Sequence, residues 1–280
     1  MSKHFDPTRE KFVVVCGMPR CGTRQFTDFM SRHDSVALQG EISNRVVPII
    51  RKAVEAADQL YPAGYAADAI AVKRPQTIIQ MFGSFSKTMP INVPAAPIQG
   101  FKSPSAELMY RDLNALLLPS FPQVRYFYCI RNPIDCYLSL SSMPWFAMGA
   151  NDYIDRYITS ISAASQIARI GAEGRKRVVI STLNLDSFIA SKDKAMWLRQ
   201  RIFAPLKIGP SVEWLAKISR TTENRNATER VTGTRRDKSM QPEALAIFKA
   251  READLQKAIE VFNATFKETL SLKLPQVVEA

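Results

Sequence analysis

The stretch FVVVCGMPRCGTRQF, Phe12 to Phe26, limits the possible folds more than any other part of the chain. Residues 12–16 are apolar, rich in β-branched side chains and of strand length. A glycine-bearing turn follows at 17–22. Phe26, Phe29, Met30 and His33 then recur at i, i+3, i+4 and i+7, which is one face of a helix. Strand, turn and helix open a βα unit. Gly17 and Gly22 enclose four residues, the glycine spacing of a Walker A turn. Backbone N–H groups in such a turn point inward, and the helix start adds about half a positive charge, so the turn suits a phosphate. A nucleoside-triphosphate loop would continue with Lys and then Ser or Thr. Here Thr23 and Arg24 follow, and Arg20 inside the loop can fork onto phosphate oxygens. The plain alternative is a tight turn with no ligand.

The same alternation runs on. Residues 45–60 read as a helix, with a bend expected at Pro48. Residues 75–104 carry five prolines and two glycines and read as irregular, part of an acceptor-side insertion over 60–104. Within it IQGF, 98–101, fits a short strand ending at Lys102. Residues 106–118 are helical in pattern, and 124–130 form a strand that stops at Arg131. Asn132 then caps a helix with Pro133 at its first position. A long amphipathic helix spans 151–172, a strand 177–182 and mixed helix 193–208. Residues 210–241 are polar and basic, and a last amphipathic helix covers 242–268. Strands alternating with helices predict one α/β domain over 1–280: three layers, α/β/α, around a mainly parallel sheet with right-handed crossovers.

Composition narrows the partners. Lys and Arg number 38 against 26 Asp and Glu, a net charge of +12. That favours anionic ligands such as nucleotides, acidic glycans, nucleic acid or an anionic membrane surface. Part of the excess lies in one late run containing Arg220, Arg225, Arg230, Arg235, Arg236 and Lys238. No stretch reaches the roughly 18 consecutive apolar residues of a membrane span, and residues 1–12 lack a signal-peptide core, so a cytoplasmic protein is expected. Cys16, Cys21, Cys129 and Cys136 form no CxxC pair, and His4 and His33 are the only histidines. Neither a structural zinc nor a disulfide framework is expected.

A second anion site is legible in IRNPIDCYLSLSS. Arg131 ends a strand, and Ser139 lies eight residues on, about two helical turns from Pro133. A metal-dependent kinase would want an Asp at such a strand end to help hold magnesium. No apolar strand here ends in a plain Asp, whereas Arg131 suits a phosphate that carries no metal.

GMPRCGTRQF and RNPIDCYLS together resemble the two signature motifs of sulfotransferases that use 3′-phosphoadenosine 5′-phosphosulfate. The order and the separation of roughly 110 residues match. The resemblance covers the motif segments; elsewhere only the α/β rhythm is similar. It implies a P-loop NTPase-like fold and a sulfuryl transfer that uses no metal and releases adenosine 3′,5′-bisphosphate. It implies that Arg20, Cys21, Gly22, Thr23 and Arg24 surround the 5′-phosphosulfate, and that Arg131 and Ser139 hold the 3′-phosphate. Cys21 stands where the family often has Ser. Arg24 stands where Thr is frequent; the Gly-Thr-Arg form resembles the branch that sulfates glycans. A late basic loop often closes over the 3′-phosphate, which makes Arg230, Arg235, Arg236 and Lys238 candidates within 210–241.

Sulfuryl transfer to a hydroxyl needs a base, donors to the sulfuryl oxygens and in-line placement. Glu41, in VALQGEISNR, is the expected base, at the sheet edge where ligands of open α/β folds gather. Neighbouring apolar groups would raise its pKa and cations would lower it. His33, on the apolar face of the first helix, is the other candidate, more simply read as a packed residue. Lys102, in GFKSP, resembles the family's Lys-Ser-Pro element and would offset charge growing on the transferred group, alongside Arg20. The acceptor is a hydroxyl on a small molecule, glycan or lipid, and peripheral membrane contact is compatible with this. Two rivals stand beside this reading. One is a magnesium-dependent P-loop kinase. The other is a non-enzymatic polyanion-binding protein, although no nucleic-acid motif accompanies the basic run, and nucleic acid is not an expected partner.

Overall fold

A computed structural model describes residues 11–60, 67–87, 96–174, 177–221 and 240–274. Five strands, β1 (Lys11–Gly17), β2 (Val36–Glu41), β3 (Ile98–Lys102), β4 (Gln123–Ile130) and β5 (Val178–Asn184), form one sheet in the order β2-β3-β1-β4-β5. Every neighbouring pair is parallel. All five residues of FVVVC are buried, as a strand sandwiched on both faces requires.

Helices cover both faces. On one lie α1 (Thr23–Met30), α7 (Leu185–Ala190) and the helical run Lys194–Leu206. Phe26 packs on Phe188 and stacks on Trp197 there. On the other lie α3 (Ala67–Ser84), α4 (Tyr110–Leu117) and α6 (Ala150–Glu173). Phe82 of α3 meets Phe12 and Phe101, while Tyr126 donates to Asn114 of α4 and Tyr128 bonds Ser160 of α6. The layering is the α/β/α arrangement with a P-loop NTPase-like sheet. β1 is central, with β3 and β4 on its flanks, which puts the turn after β1 at the middle of the strand-end ledge.

Several expectations need correction. The segment 75–104 is not irregular at its start: α3 continues to Ser84 through Pro75 and Gly83. Its buried Ile78 and Phe82 sit four residues apart, and their packing on the sheet outweighs the intrinsic helix penalties of proline and glycine. The short strand read at 98–101 is present as β3, and it lies between β2 and β1. Pro48 falls in the first turn of α2 (Val46–Leu60), where its missing N–H would have no intrahelical acceptor and causes no break. His33 lies beyond the end of α1, in a turn where its Nδ1 accepts from the Ser35 N–H. The basic segment 210–241 opens with a helix, Val212–Thr221, that buries Leu215 and Ile218. The last helix is two, Pro242–Ala250 and Glu252–Phe266, parted at Arg251.

A candidate active site along the strand ends

Four adjacent strands end in a row. From one side the residues are Glu41 at the end of β2, Lys102 at the end of β3, the 17–22 turn after β1, and Arg131 after β4. Strands about 4.8 Å apart make this ledge roughly 14 Å long.

The turn at its centre is shaped by backbone conformation. Gly17 has φ +121°, and a Cβ there would lie 2.1 Å from the Cys129 carbonyl oxygen, so only glycine fits. Arg20 (φ 71°) and Gly22 (φ 91°) are both left-handed, a backbone feature shared with the nests that bind anions. Gly22 is the N-cap of α1 and offers no side chain to the first-turn donors. Thr23 is buried just inside the helix, and Arg24 follows it. Such a turn could take an anion through main-chain donors, although the Cys21 N–H is already bonded to the Met18 carbonyl.

The second motif comes to the same place. Asn132 caps α5 (Pro133–Ser141), its side chain accepting from the N–H groups of Ile134 and Asp135. Ser139 is carried two turns along, and Arg20 Nε donates to its Oγ at 3.0 Å. The residue expected at one phosphate thus touches the residue expected at the other. Arg131 is nearly buried and lies between two carboxylates, 3.5 Å from Asp186 and 3.8 Å from Asp135. Its buried Nε is the atom that faces Asp186, in an ion pair without hydrogen-bond geometry. These residues could hold a nucleotide bearing phosphates at both ends: a left-handed turn at a helix start, and beside it a largely buried guanidinium that two carboxylates now face.

At the other end Lys102 donates to Glu41 Oε2 at 2.8 Å. A register shift between Gln39 and Glu41 lets Glu41 pair with Lys102. Ser103 bonds both the Ile42 carbonyl and Asn44, and Asn44 bonds the Pro104 carbonyl, which ties the GEISN and KSP segments together. The opposing influences on Glu41 are now resolved. Partial burial pushes its carboxyl up. The hydrogen bond and charge of Lys102, with the charges of Lys87 and Arg24, outweigh it and hold the carboxyl below the usual range. Glu41 is ionised at neutral pH and half-exposed. His33 sits instead against Trp214 and Phe203, and burial lowers its pKa.

Three supporting residues were not singled out in the sequence. Glu107, in the 3₁₀ turn after β3, is fully buried. It accepts the Gly17 N–H at 2.8 Å and the Ser160 hydroxyl at 2.5 Å. Burial raises its pKa against the pull of those bonds and of Arg156. Tyr153 and Tyr157 of α6 donate to the carbonyls of Pro133 and Arg131. Their i, i+4 spacing on an apolar helix face was a usable signal; a glutamate inside AELMYRDL gave none. Arg235 and Arg236, with Arg230 and Lys238, lie outside the described residues.

No family profile matches the chain, and no curated protein matches it in sequence. Solved structures do match in shape. The sulfotransferase domain from the curacin biosynthetic pathway has a TM-score of 0.53 at 13% identity, over 94% of this chain and 100% of that one. The sulfotransferase domain of the Synechococcus PCC 7002 olefin synthase has a TM-score of 0.52 at 15% identity, over 96% and 100%. A sulfotransferase from Alicyclobacillus acidocaldarius has a TM-score of 0.50 at 13% identity, over 94% and 98%. Across nearly its whole length, the chain has the fold of sulfotransferases.

Proposed function

We propose that the protein moves a sulfuryl group from 3′-phosphoadenosine 5′-phosphosulfate to the hydroxyl of a small molecule, glycan or lipid, in the cytoplasm and without a metal. The observation that carries this reading is the Arg20–Ser139 hydrogen bond, which joins the glycine turn to the Arg-then-Ser helix. A nest beside a second cationic pocket suits a doubly phosphorylated adenosine better than a triphosphate, whose negative charge is concentrated at one end.

The donor supplies an activated sulfuryl group on a stable phosphate leaving group. The main chain at 20–24 binds and orients the 5′ end, with Arg20 offering its guanidinium. Arg131 and Ser139 hold the 3′-phosphate, and Arg235 and Arg236 are the proposed closing cations. Glu41, already ionised, receives the acceptor's hydroxyl proton on its carboxylate. Lys102 holds that carboxylate in place at 2.8 Å and adds positive charge where negative charge grows.

Calorimetric titration with adenosine 3′,5′-bisphosphate, and separately with ATP plus Mg²⁺, each with and without EDTA, tests the reading. Tight, EDTA-insensitive binding of the bisphosphate supports it. Metal-dependent binding of ATP alone would point to the kinase instead.

A further inference from the structure

Each of the two motifs carries a cysteine, and the fold brings the two sulfurs together. Cys21 lies in the glycine turn and Cys136 in the first turn of α5, 115 residues apart in sequence. The Cys21 thiol donates to Cys136 Sγ at 3.4 Å, and the Cys136 thiol donates to the Pro19 carbonyl at 3.1 Å. We propose that Cys21 and Cys136 are an oxidation site whose disulfide cross-links the two anion-binding segments and switches nucleotide binding off.

A disulfide requires sulfurs about 2.05 Å apart, so the pair closes by roughly 1.4 Å. The cost falls on the turn. Cys21 stands between two left-handed residues, Arg20 and Gly22, whose conformations aim the nest. Ser139 lies one turn after Cys136 and bonds Arg20, so the sulfur pair and the Arg20–Ser139 pair run side by side. Forming the bond removes the Cys136 thiol proton that the Pro19 carbonyl accepts, and drawing Cys21 towards α5 alters the gap between the two cationic pockets. The loss of binding rests on the functional reading above; the cross-link itself does not.

The electrons balance with hydrogen peroxide as oxidant. Cys136 is the more acidic thiol. Burial opposes its ionisation, but the hydrogen bond from Cys21 and the charges of Arg131 and Arg20 prevail. Burial and the Cys136 contact hold Cys21 well above the ordinary thiol range. The Cys136 thiolate attacks one peroxide oxygen, giving a sulfenic acid and a hydroxide that takes up the proton the thiol released and leaves as water. Cys21 sulfur then attacks the Cys136 sulfur, forming the S–S bond and expelling a second water. Both sulfurs are buried, so the reaction is expected to be slow and to follow local opening of the turn.

The experiment treats the full chain with hydrogen peroxide and alkylates remaining thiols under denaturing conditions. Peptides are then mapped by mass spectrometry, and affinity for adenosine 3′,5′-bisphosphate is titrated before oxidation, after it, and after dithiothreitol. The expected result is one linked peptide pair holding Cys21 and Cys136, with affinity about tenfold weaker or more and restored by the reductant. Cys136→Ser keeps a donor to Pro19 and should bind equally well with or without peroxide. Alkylation of both cysteines, their separate oxidation, or a cross-link with unchanged affinity would each overturn the proposal. A reduced wild-type protein that binds no bisphosphate refutes the functional reading, while the peptide map still decides whether the cross-link forms.

Discussion

The two ends of the strand-end ledge are built differently. At the β1 and β4 end the main chain is held by buried partners. Glu107 grips the Gly17 N–H, and Tyr153 and Tyr157 grip the carbonyls that open α5. At the β2 and β3 end the central feature is an ion pair whose carboxylate is half-exposed. Buried hydrogen bonds fix geometry because breaking one strands a polar group. An ion pair open to solvent contributes little to stability. The difference fits the proposed function, with a preformed donor site at one end and an adjustable, reactive site at the other.

The largest expected effect tests the reactive end. Glu41→Gln should lower turnover by about a hundredfold or more and leave affinity for adenosine 3′,5′-bisphosphate within about twofold. Initial rates and a titration on the same protein check it, and near-normal turnover would remove Glu41 as the base. Next, Glu107→Ala should destabilise the fold by about 1–3 kcal/mol, because the Gly17 N–H and the Ser160 hydroxyl lose a buried acceptor. Glu107→Gln keeps an acceptor for Gly17 and escapes the cost of burying a charge, so it should unfold in denaturant closer to wild type. Equal losses in both variants would show that the carboxylate's charge, rather than its acceptor geometry, matters.

Asp186→Asn sharpens the contrast further. It keeps an acceptor for the Asn132 N–H, which Asp186 Oδ2 now takes at 2.6 Å, and removes a competing anion from Arg131. Affinity for the bisphosphate should rise by about two- to fivefold in a titration at low salt. The smallest effect is one of pH. The Glu41 carboxyl is depressed, so the acid limb of kcat/KM should lie below the ordinary glutamate value of about 4.3. The same ionisation favours folding above the unfolded-state pKa, and that contribution is lost as pH falls through the lower folded value. An acid limb near neutrality would assign the base role to another group.

Local signals carried much of this in the sequence. FVVVC, the glycine turn, the strand ending at Arg131 and the Asn132-Pro133 cap lie where periodicity and capping chemistry put them. Their structure is set by neighbours a few residues away. Long-range pairing was less legible. The Glu41–Lys102 pair depends on a register shift between strands 61 residues apart, and Arg20–Ser139 spans 119 residues. Glu107 was hidden for a related reason: its environment is built from β1 and α6. The irregular reading of α3 failed because proline and glycine weigh heavily in a local window, while the burial of Phe82 against Phe12 and Phe101 is a tertiary effect.

On the proposed function, the two motifs hold opposite ends of one nucleotide. The most direct test of this is the ratio of affinities for adenosine 3′,5′-bisphosphate and adenosine 5′-monophosphate, measured calorimetrically for wild type and Arg131→Ala. The account predicts that the substitution weakens the bisphosphate by roughly ten- to a hundredfold and leaves the monophosphate nearly unchanged, so the preference for a 3′-phosphate collapses. Equal weakening of both ligands, or of neither, would contradict it.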